Sequence, residues 1–285
     1  LQADSIADLP SEAERLDALE LRLLETIRSY GSCAVAFSAG VDSTLVAAAA
    51  FRALGASAVA VTGRSASLAE EEYRQACELA QAIGIRHVTI DTGELSRPGY
   101  VANAGDRCYH CKTELYTNLE GLQETLHVAV IANGANVDDL GDYRPGMEAA
   151  RERAVRSPLV ECGFRKADVR EVARRWGLPV WDKPAMPCLS SRLVYGLEVT
   201  PERLARVEAA EKFLRERGFR DVRVRHHENE LARVELLAGD FPRLLDVSLR
   251  QAFIARCREV GFRFVAFDLE GLRSGSMNSL VMLDG

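Results

Sequence analysis

Lysine is nearly absent from this 285-residue chain: 4 residues stand against 32 arginines, a split that reads as coding-sequence composition rather than function. Basic charge is not in excess either. The 36 basic residues face 42 acidic ones, for a net charge of −6, with 21 basic and 27 acidic up to Arg192 and 15 of each beyond it. Neither part has the basic body of a general nucleic-acid binder, so no nucleic-acid partner is expected, although a local anion site stays open. No stretch approaches the roughly 18 apolar residues of a membrane helix, so no membrane association is expected. The first residues, LQADSIADLPSEAERL, lack a basic segment followed by an apolar run and predict no signal peptide. There is no repeat in the range of about 20–50 residues and no low-complexity tract. Cysteine is sparse and odd in number, seven in all. That argues against a disulfide scaffold and for a reducing, cytoplasmic compartment, where a cysteine cluster binds metal or does chemistry.

What is present is an ordinary globular composition, 47% hydrophobic and 27% charged. The length predicts two domains, each able to form its own core. Leu16, Leu19, Leu23 and Ile27 recur at helical spacing over 12–29. Apolar strand-like runs follow at 33–38, 57–63, 86–91 and 127–136, with helices predicted at 44–54 and 68–83 between them. A loop with Pro98, Gly99 and Gly105 is expected to carry DRCYHCK (106–112). Strands alternating with helices predict an α/β fold with a doubly wound, mostly parallel sheet. Near 180–200 the pattern gives way to VWDKPAMPCLSSRLVYG, read as a site loop at a domain junction. Beyond it come a helix (201–217), two strands (221–227 and 231–237), a helix (241–260) and a strand (262–269), a smaller C-terminal α+β domain with a hairpin. The expected division is 1–195 and 196–285.

Three groups of residues carry chemistry. Ser38-Ala39-Gly40-Val41-Asp42-Ser43 lies between the first sheet strand and the next helix. Small residues there free backbone N–H groups, a helix N-terminus adds partial positive charge, and two serines add hydroxyls, which together cradle phosphate. The GxxxxGK[ST] pattern is absent. The bland alternative is an N-cap turn with Asp42 or Ser43 as the cap. Gly134 and Asn136, with Asp138 and Asp139, follow the fourth strand and should face the same crevice, where the carboxylates offer oxygen ligands for Mg²⁺. Second, Cys108-Tyr-His-Cys111 and the distant Cys188 can bring three thiolates together. They suit an iron–sulfur cluster with one open iron, a redox relay, or a zinc site completed by His110, His226 or His227. Cys33 and Cys77 read as small core residues, and Cys162 and Cys257 as structural. Third, Glu211 falls on the apolar stripe of helix 201–217 beside Leu204, Val207 and Leu214. Arg223 and Arg225 alternate onto one face of the following strand, as a fork for an anion or as partners of a structural Glu–Arg bridge.

SAGVDST resembles the pyrophosphatase loop, SGGxDS, of ATP-dependent adenylating enzymes, with Ala39 in place of the usual second glycine. Together with DRCYHCK, NVDDLGDYRPG, KPAMPCLSSR, VRVRHH and GSMN (275–278), it resembles the ATP-dependent sulfur transferases of nickel-pincer nucleotide cofactor synthesis, LarE-type, over nearly the whole chain. The resemblance implies an adenine nucleotide alpha hydrolase-like fold, ATP with Mg²⁺, and a pyridinium mononucleotide substrate. It implies a homo-oligomer. In that family a carboxylate of pyridinium-3,5-biscarboxylic acid mononucleotide is adenylated and converted to a thiocarboxylate. By resemblance Ser38 to Ser43 hold ATP, Cys188 delivers sulfur, and Ser191, Arg192, Glu211, Arg223 and Arg225 line the substrate pocket. The sulfur comes either from a sacrificed cysteine or from a [4Fe–4S] cluster on three cysteines. Here Cys108, Cys111 and Cys188 are all present, which favours the cluster. The rival readings are a tRNA thiolation enzyme, an amidating synthetase and a non-catalytic, zinc-stapled nucleotide sensor.

Overall fold

A run of helix formers capped by Ser11 starts the described chain. In the computed structural model, which describes residues 11–141 and 145–273, Ser11 and Glu14 cap each other at the start of α1 (Glu12–Arg28). Leu16, Leu23 and Ile27 are its buried stripe. Four short strands form the first sheet: β1 (Cys33–Ala36), β2 (Ala58–Arg64), β3 (Arg86–Asp91) and β4 (Val130–Ala132). Their order is β3-β2-β1-β4, and every pairing is parallel. Parallel neighbours need crossovers, and α2 (Val41–Leu54), α3 (Glu70–Ile83) and α5 (Arg107–Leu126) lie in them, with the single turn α4 (Pro98–Val101) before α5. After β4 come α6 (Pro145–Glu152), α7 (Pro158–Cys162) and α8 (Lys166–Arg175).

Alternation along β1 sorts the core into two layers. Cys33 and Val35 join α1, α2, α3, α7 and α8 on one face, while Ala34 joins α5 and α6 on the other. The sheet is thus doubly wound, as its pattern predicted. Helix α2 is buried nearly all round, and the run Ala47–Ala50 keeps its flanks thin enough to fit between α1 and the sheet.

The second sheet holds β5 (Val222–His227), β6 (Leu231–Leu236) and β7 (Phe264–Phe267) in that order, β5 antiparallel and β7 parallel to β6. Helix α9 (Pro201–Arg215), capped by Thr200, packs on it with α11 (Val247–Glu259), capped by Asp246. The long helix expected over 241–260 is two helices, α10 (Phe241–Leu244) and α11, because Asp246 caps a fresh start. The second core also takes in Ala69, Tyr100, Leu189 and Leu193 from earlier in the chain. No described helix is long and apolar enough to cross a membrane.

Candidate active site

Strands β1 and β4 are parallel neighbours, so the turns after them open at the same edge of the sheet. The turn after β1 is the Ser38–Ser43 loop. Gly40 precedes the first residue of α2, and no side chain caps that helix, leaving its first N–H groups turned to the crevice. Ser43 Oγ accepts from Ser38 N–H at 3.2 Å, lies 3.1 Å from Ser38 Oγ, and reaches the Gly40 carbonyl. Ala39 adopts φ = +57°, the left-handed region that glycine occupies freely, so the departure from SGGxDS leaves the loop shape intact. Across from it, a Cβ on Gly134 would stand 2.6 Å from the Ser43 nitrogen. Only glycine permits that approach. Asn136 Nδ2 donates to Asp42 Oδ1 at 3.1 Å, binding the two turns. The expectation that both turns share one crevice is thereby met in the geometry. Asp138 and Asp139 instead serve the backbone: their carboxylates accept from the Lys166 and Asn136 N–H groups at 2.8 and 3.0 Å. Among the described residues no group of three or more His, Cys, Asp or Glu side chains is placed to hold a metal ion.

The CxxC segment is not in a loop. Cys108 and Cys111 sit on the first turns of α5, three residues apart and hence on one helical face. Cys188 lies on an exposed loop that α5 and its surroundings tie down. Arg107 Nη1 donates to the Ser190 carbonyl at 2.9 Å, the Tyr100 hydroxyl meets Ser190 Oγ at 2.5 Å, and Leu189 N–H donates to the Ser67 carbonyl at 2.9 Å. Cys108 and Cys188 are exposed and Cys111 is half-buried. Burial pushes the Cys111 thiol up to about 12, and the nearby Cys188, Glu94 and Cys108 push the same way against Lys112. Cys108 and Cys188 thus both bear on the Cys111 thiol. His226 and His227 are on β5, His226 paired with Glu230 and His227 accepting from Arg233. Of the other cysteines, Cys33, Cys162 and Cys257 are buried and Cys77 is half-buried.

The arginines differ in what they face. Arg192, 1% exposed, donates through Nε to Glu211 at 3.0 Å, and through Nη1 to the Cys188 carbonyl at 3.1 Å. Glu211, fully buried, also accepts from Arg215 and from the Val224 N–H at 3.0 Å. Arg225 is bound to Glu235 and donates to the Ser191 carbonyl at 3.0 Å. Ser191 Oγ donates to the Cys188 carbonyl. Arg223, on the same face, is half-buried and reaches only the Ala185 carbonyl at 3.3 Å, with no carboxylate in ion-pair range among the described residues. Burial lowers its affinity for the proton, and Arg225 and Arg192 add to this by repulsion. It is the arginine best placed to welcome an anion.

The NAD synthase family matches residues 16–105. An uncharacterized protein of Synechocystis sp. is 46% identical over 263 residues, covering 90% of this chain and 97% of that one. The pyridinium-3,5-bisthiocarboxylic acid mononucleotide synthase of Lactiplantibacillus plantarum is 39% identical over 262 residues, covering 90% of this chain and 92% of that protein. The chain belongs to the pyridinium-3,5-bisthiocarboxylic acid mononucleotide synthase family. A tRNA-specific 2-thiouridylase of Xanthobacter autotrophicus is 31% identical over a shorter stretch, 58% of this chain and 52% of that one. The shared loop places this synthase family among the pyrophosphatase-loop enzymes, and the chain is an ATP-dependent, sulfur-transferring enzyme.

For a member of the synthase family, two basic residues of the crevice, Lys166 and Lys183, and Lys112 beside Cys111 were not singled out by the motifs. Lys166 Nζ pairs with Asp42; Lys183 Nζ donates to Glu72 at 2.7 Å and to the Ala39 carbonyl at 3.3 Å; Lys112 follows Cys111 on α5. A signal was there. With lysine reduced to four residues, the positions that keep it are informative, and two of the four touch the Ser38–Ser43 loop. Glu94 was missed as well. It is 2% exposed, its Oε1 accepts from Ser65 and Ser67, and its Oε2 has no partner among the described residues.

Proposed function

We propose that the protein adenylates a carboxylate of pyridinium-3,5-biscarboxylic acid mononucleotide and replaces one of its oxygens with sulfur, a step of nickel-pincer cofactor synthesis. One observation supports the reading: the segment that carries Cys188 is held at one end to the nucleotide loop, through Lys183 on the Ala39 carbonyl, and at the other to the arginines, through Arg192 on the Cys188 carbonyl. The named synthase relative supplies the substrate class.

In this reading ATP and its Mg²⁺ sit on Ser38, Ala39, Gly40, Val41, Asp42 and Ser43, flanked by Gly134 and Asn136. A carboxylate is a poor electrophile. Its oxygen attacks the α-phosphorus, the bond to the β-phosphate breaks, and pyrophosphate leaves. The acyl–AMP anhydride then has a good leaving group, and a sulfur nucleophile expels AMP. Arg223 holds the substrate's phosphate or second carboxylate, with Ser191 and Arg225 beside it. Glu211 positions Arg192, which in turn fixes the carbonyl of Cys188. Cys108, Cys111 and Cys188 have the donor chemistry of a three-thiolate site and would together hold a [4Fe–4S] cluster, which when bound supplies sulfide at its open iron. The odd, sparse cysteines fit a reducing cytoplasm, and the resemblance implies a homo-oligomer.

Anaerobic purification followed by iron, sulfide and intact-mass analysis after turnover tests the sulfur source. The reading predicts bound iron, a chain of unchanged mass, and loss of stable iron binding when any one of the three cysteines becomes serine. A chain lighter by hydrogen sulfide at Cys188, with Cys108→Ser and Cys111→Ser still transferring sulfur once, would overturn the cluster and leave a sacrificial Cys188.

A further inference from the structure

The Ser38–Ser43 loop has no lysine of its own. A GxxxxGK[ST] loop sends its lysine forward onto the phosphates. Here a lysine reaches the loop from behind, 144 residues further along the chain: Lys183 Nζ donates to the Ala39 carbonyl at 3.3 Å. Both ends of that side chain are secured. Arg170, on α8, donates to the Trp181 and Lys183 carbonyls at 2.7 and 2.9 Å and fixes the backbone from which the lysine starts. Pro184 follows and favours extended backbone at Lys183. At the far end α3 receives the ammonium, where Glu72 accepts at 2.7 Å and Gln75 accepts as well. The Lys183 and Glu72 side chains are only 12% and 16% exposed.

An ammonium has three N–H donors, and Glu72, Gln75 and the Ala39 carbonyl take all three. Lys183 is therefore committed before any nucleotide arrives. A bridge to Glu72 alone would fasten its segment to α3 and ask nothing of the loop. The third bond goes to the loop all the same, at a peptide whose orientation matters. The Ala39–Gly40 peptide is planar and trans, so its C=O and N–H point in opposite directions. Holding the carbonyl on the side of α3 turns the Gly40 N–H the other way. Gly40 is the N-cap of α2, so that N–H begins the row of donors at the helix start. As a glycine, Gly40 accepts either sign of φ, and its own backbone does not prevent the peptide from flipping. The lysine does.

We propose that Lys183 is a positioning residue for ATP, holding the Ala39–Gly40 peptide in the orientation that presents the Gly40 N–H to the nucleotide's phosphates. The inference rests on reading Ser38–Ser43 as the nucleotide loop. Lys183 acts through the loop and does not touch the ligand. Its donors are in place beforehand, so the cradle needs little rearrangement when phosphate binds. The same side chain anchors the start of the segment that leads to Cys188.

Calorimetric titration of the full chain with α,β-methylene-ATP, and in parallel with adenosine, tests the role. Lys183→Met should weaken the analogue about tenfold, the worth of one hydrogen bond to a charged group, and leave adenosine within about twofold. Because Lys183→Met strands Glu72, the double variant Glu72→Gln with Lys183→Met is measured beside it. It removes the lone carboxylate and should show the same loss for the analogue. Glu72→Gln alone keeps the lysine on the Ala39 carbonyl and should bind the analogue as wild type does, while melting at a lower temperature. Unchanged analogue affinity in both Lys183 variants would overturn the proposal and make the contact a staple of α3. An equal loss for adenosine would overturn it as a general collapse of the crevice. Tighter analogue binding in Glu72→Gln would overturn it too, because Glu72 would then be withholding a direct phosphate ligand. These results concern the lysine and leave the proposed function standing. A wild-type chain that binds the analogue no better than adenosine would remove the nucleotide loop, and the role of Lys183 with it.

Discussion

At Ala39 the nucleotide loop carries a buried methyl group on a backbone at φ = +57°. An L-residue there costs about 1 kcal/mol relative to glycine, and the lost packing and added unfolded-state freedom of a glycine offset most of that. Ala39→Gly should therefore leave thermal stability within about 1 kcal/mol and preserve adenylation, whereas a β-branched Ala39→Val should lose both. Ser43 and Asp42 are a different case. Ser43 Oγ organises the Ser38 end of the cradle, and Asp42 ties Asn136 and Lys166 to it. Asp42→Ala or Ser43→Ala should abolish substrate-dependent AMP and pyrophosphate release in a folded protein, as judged by circular dichroism. The arginines divide by partner. Arg223→Ala should weaken substrate binding by a tenfold to hundredfold factor, about 1.5–3 kcal/mol for one charge-assisted hydrogen bond, with stability little changed. Glu211→Ala should instead cost about 3–5 kcal/mol of stability, because it strands Arg192 without its carboxylate. Calorimetric titration and denaturant unfolding read the two effects separately.

Among the elements, the approach of the β4 turn to the start of α2 is the tightest constraint on the crevice. Gly134→Ala would drive a methyl group into the Asp42–Ser43 backbone, and backbone cannot step aside as a flexible side chain can. The expected result is a loss of about 1–3 kcal/mol and a matching drop in ATP affinity, measured by thermal shift with and without nucleotide. Elements of this kind were legible to different degrees. The parallel sheet followed from short apolar runs separated by helical periods, and β3 lies where its pattern put it, over Arg86–Asp91, while the third crossover helix, α5, was not foreseen. The CxxC segment was placed in a loop because Pro98, Gly99 and Gly105 precede it, yet α5 begins at Arg107 and carries both cysteines. No apolar stripe announces that first turn, since its side chains face a site rather than a core. The inward Glu211 was legible because a carboxylate on an apolar stripe breaks the pattern. Glu94, Lys166 and Lys183 were not, because each acts across a distance in sequence that no local period encodes. The segment GSMN and residues 142–144 of NVDDLGDYRPG lie outside the described residues.

For the whole molecule, three enclosed histidines set a pH dependence. Burial lowers the affinity of His87, His226 and His227 for a proton below the ordinary value of about 6.5. The unfolded chain then binds more protons than the folded one, so the stability these residues contribute is present above about pH 6.5 and is lost as the pH falls through it. Melting temperature should drop between pH 7.5 and pH 5.5 (about two units of pH), and replacing His87 with glutamine should flatten part of that slope. A slope of opposite sign would mean that these rings gain, not lose, protons on folding. In the proposed function one crevice couples ATP cleavage to sulfur transfer onto a carboxylate. Its most direct measurement is the ratio of AMP formed to thiocarboxylate formed when the anaerobic protein is given ATP and the pyridinium dicarboxylate mononucleotide, both products quantified by mass spectrometry. One AMP is expected for each thiocarboxylate and none without the dicarboxylate; ADP and phosphate as the nucleotide products, or AMP released with no sulfur entering the substrate under sulfide, would rule the coupling out.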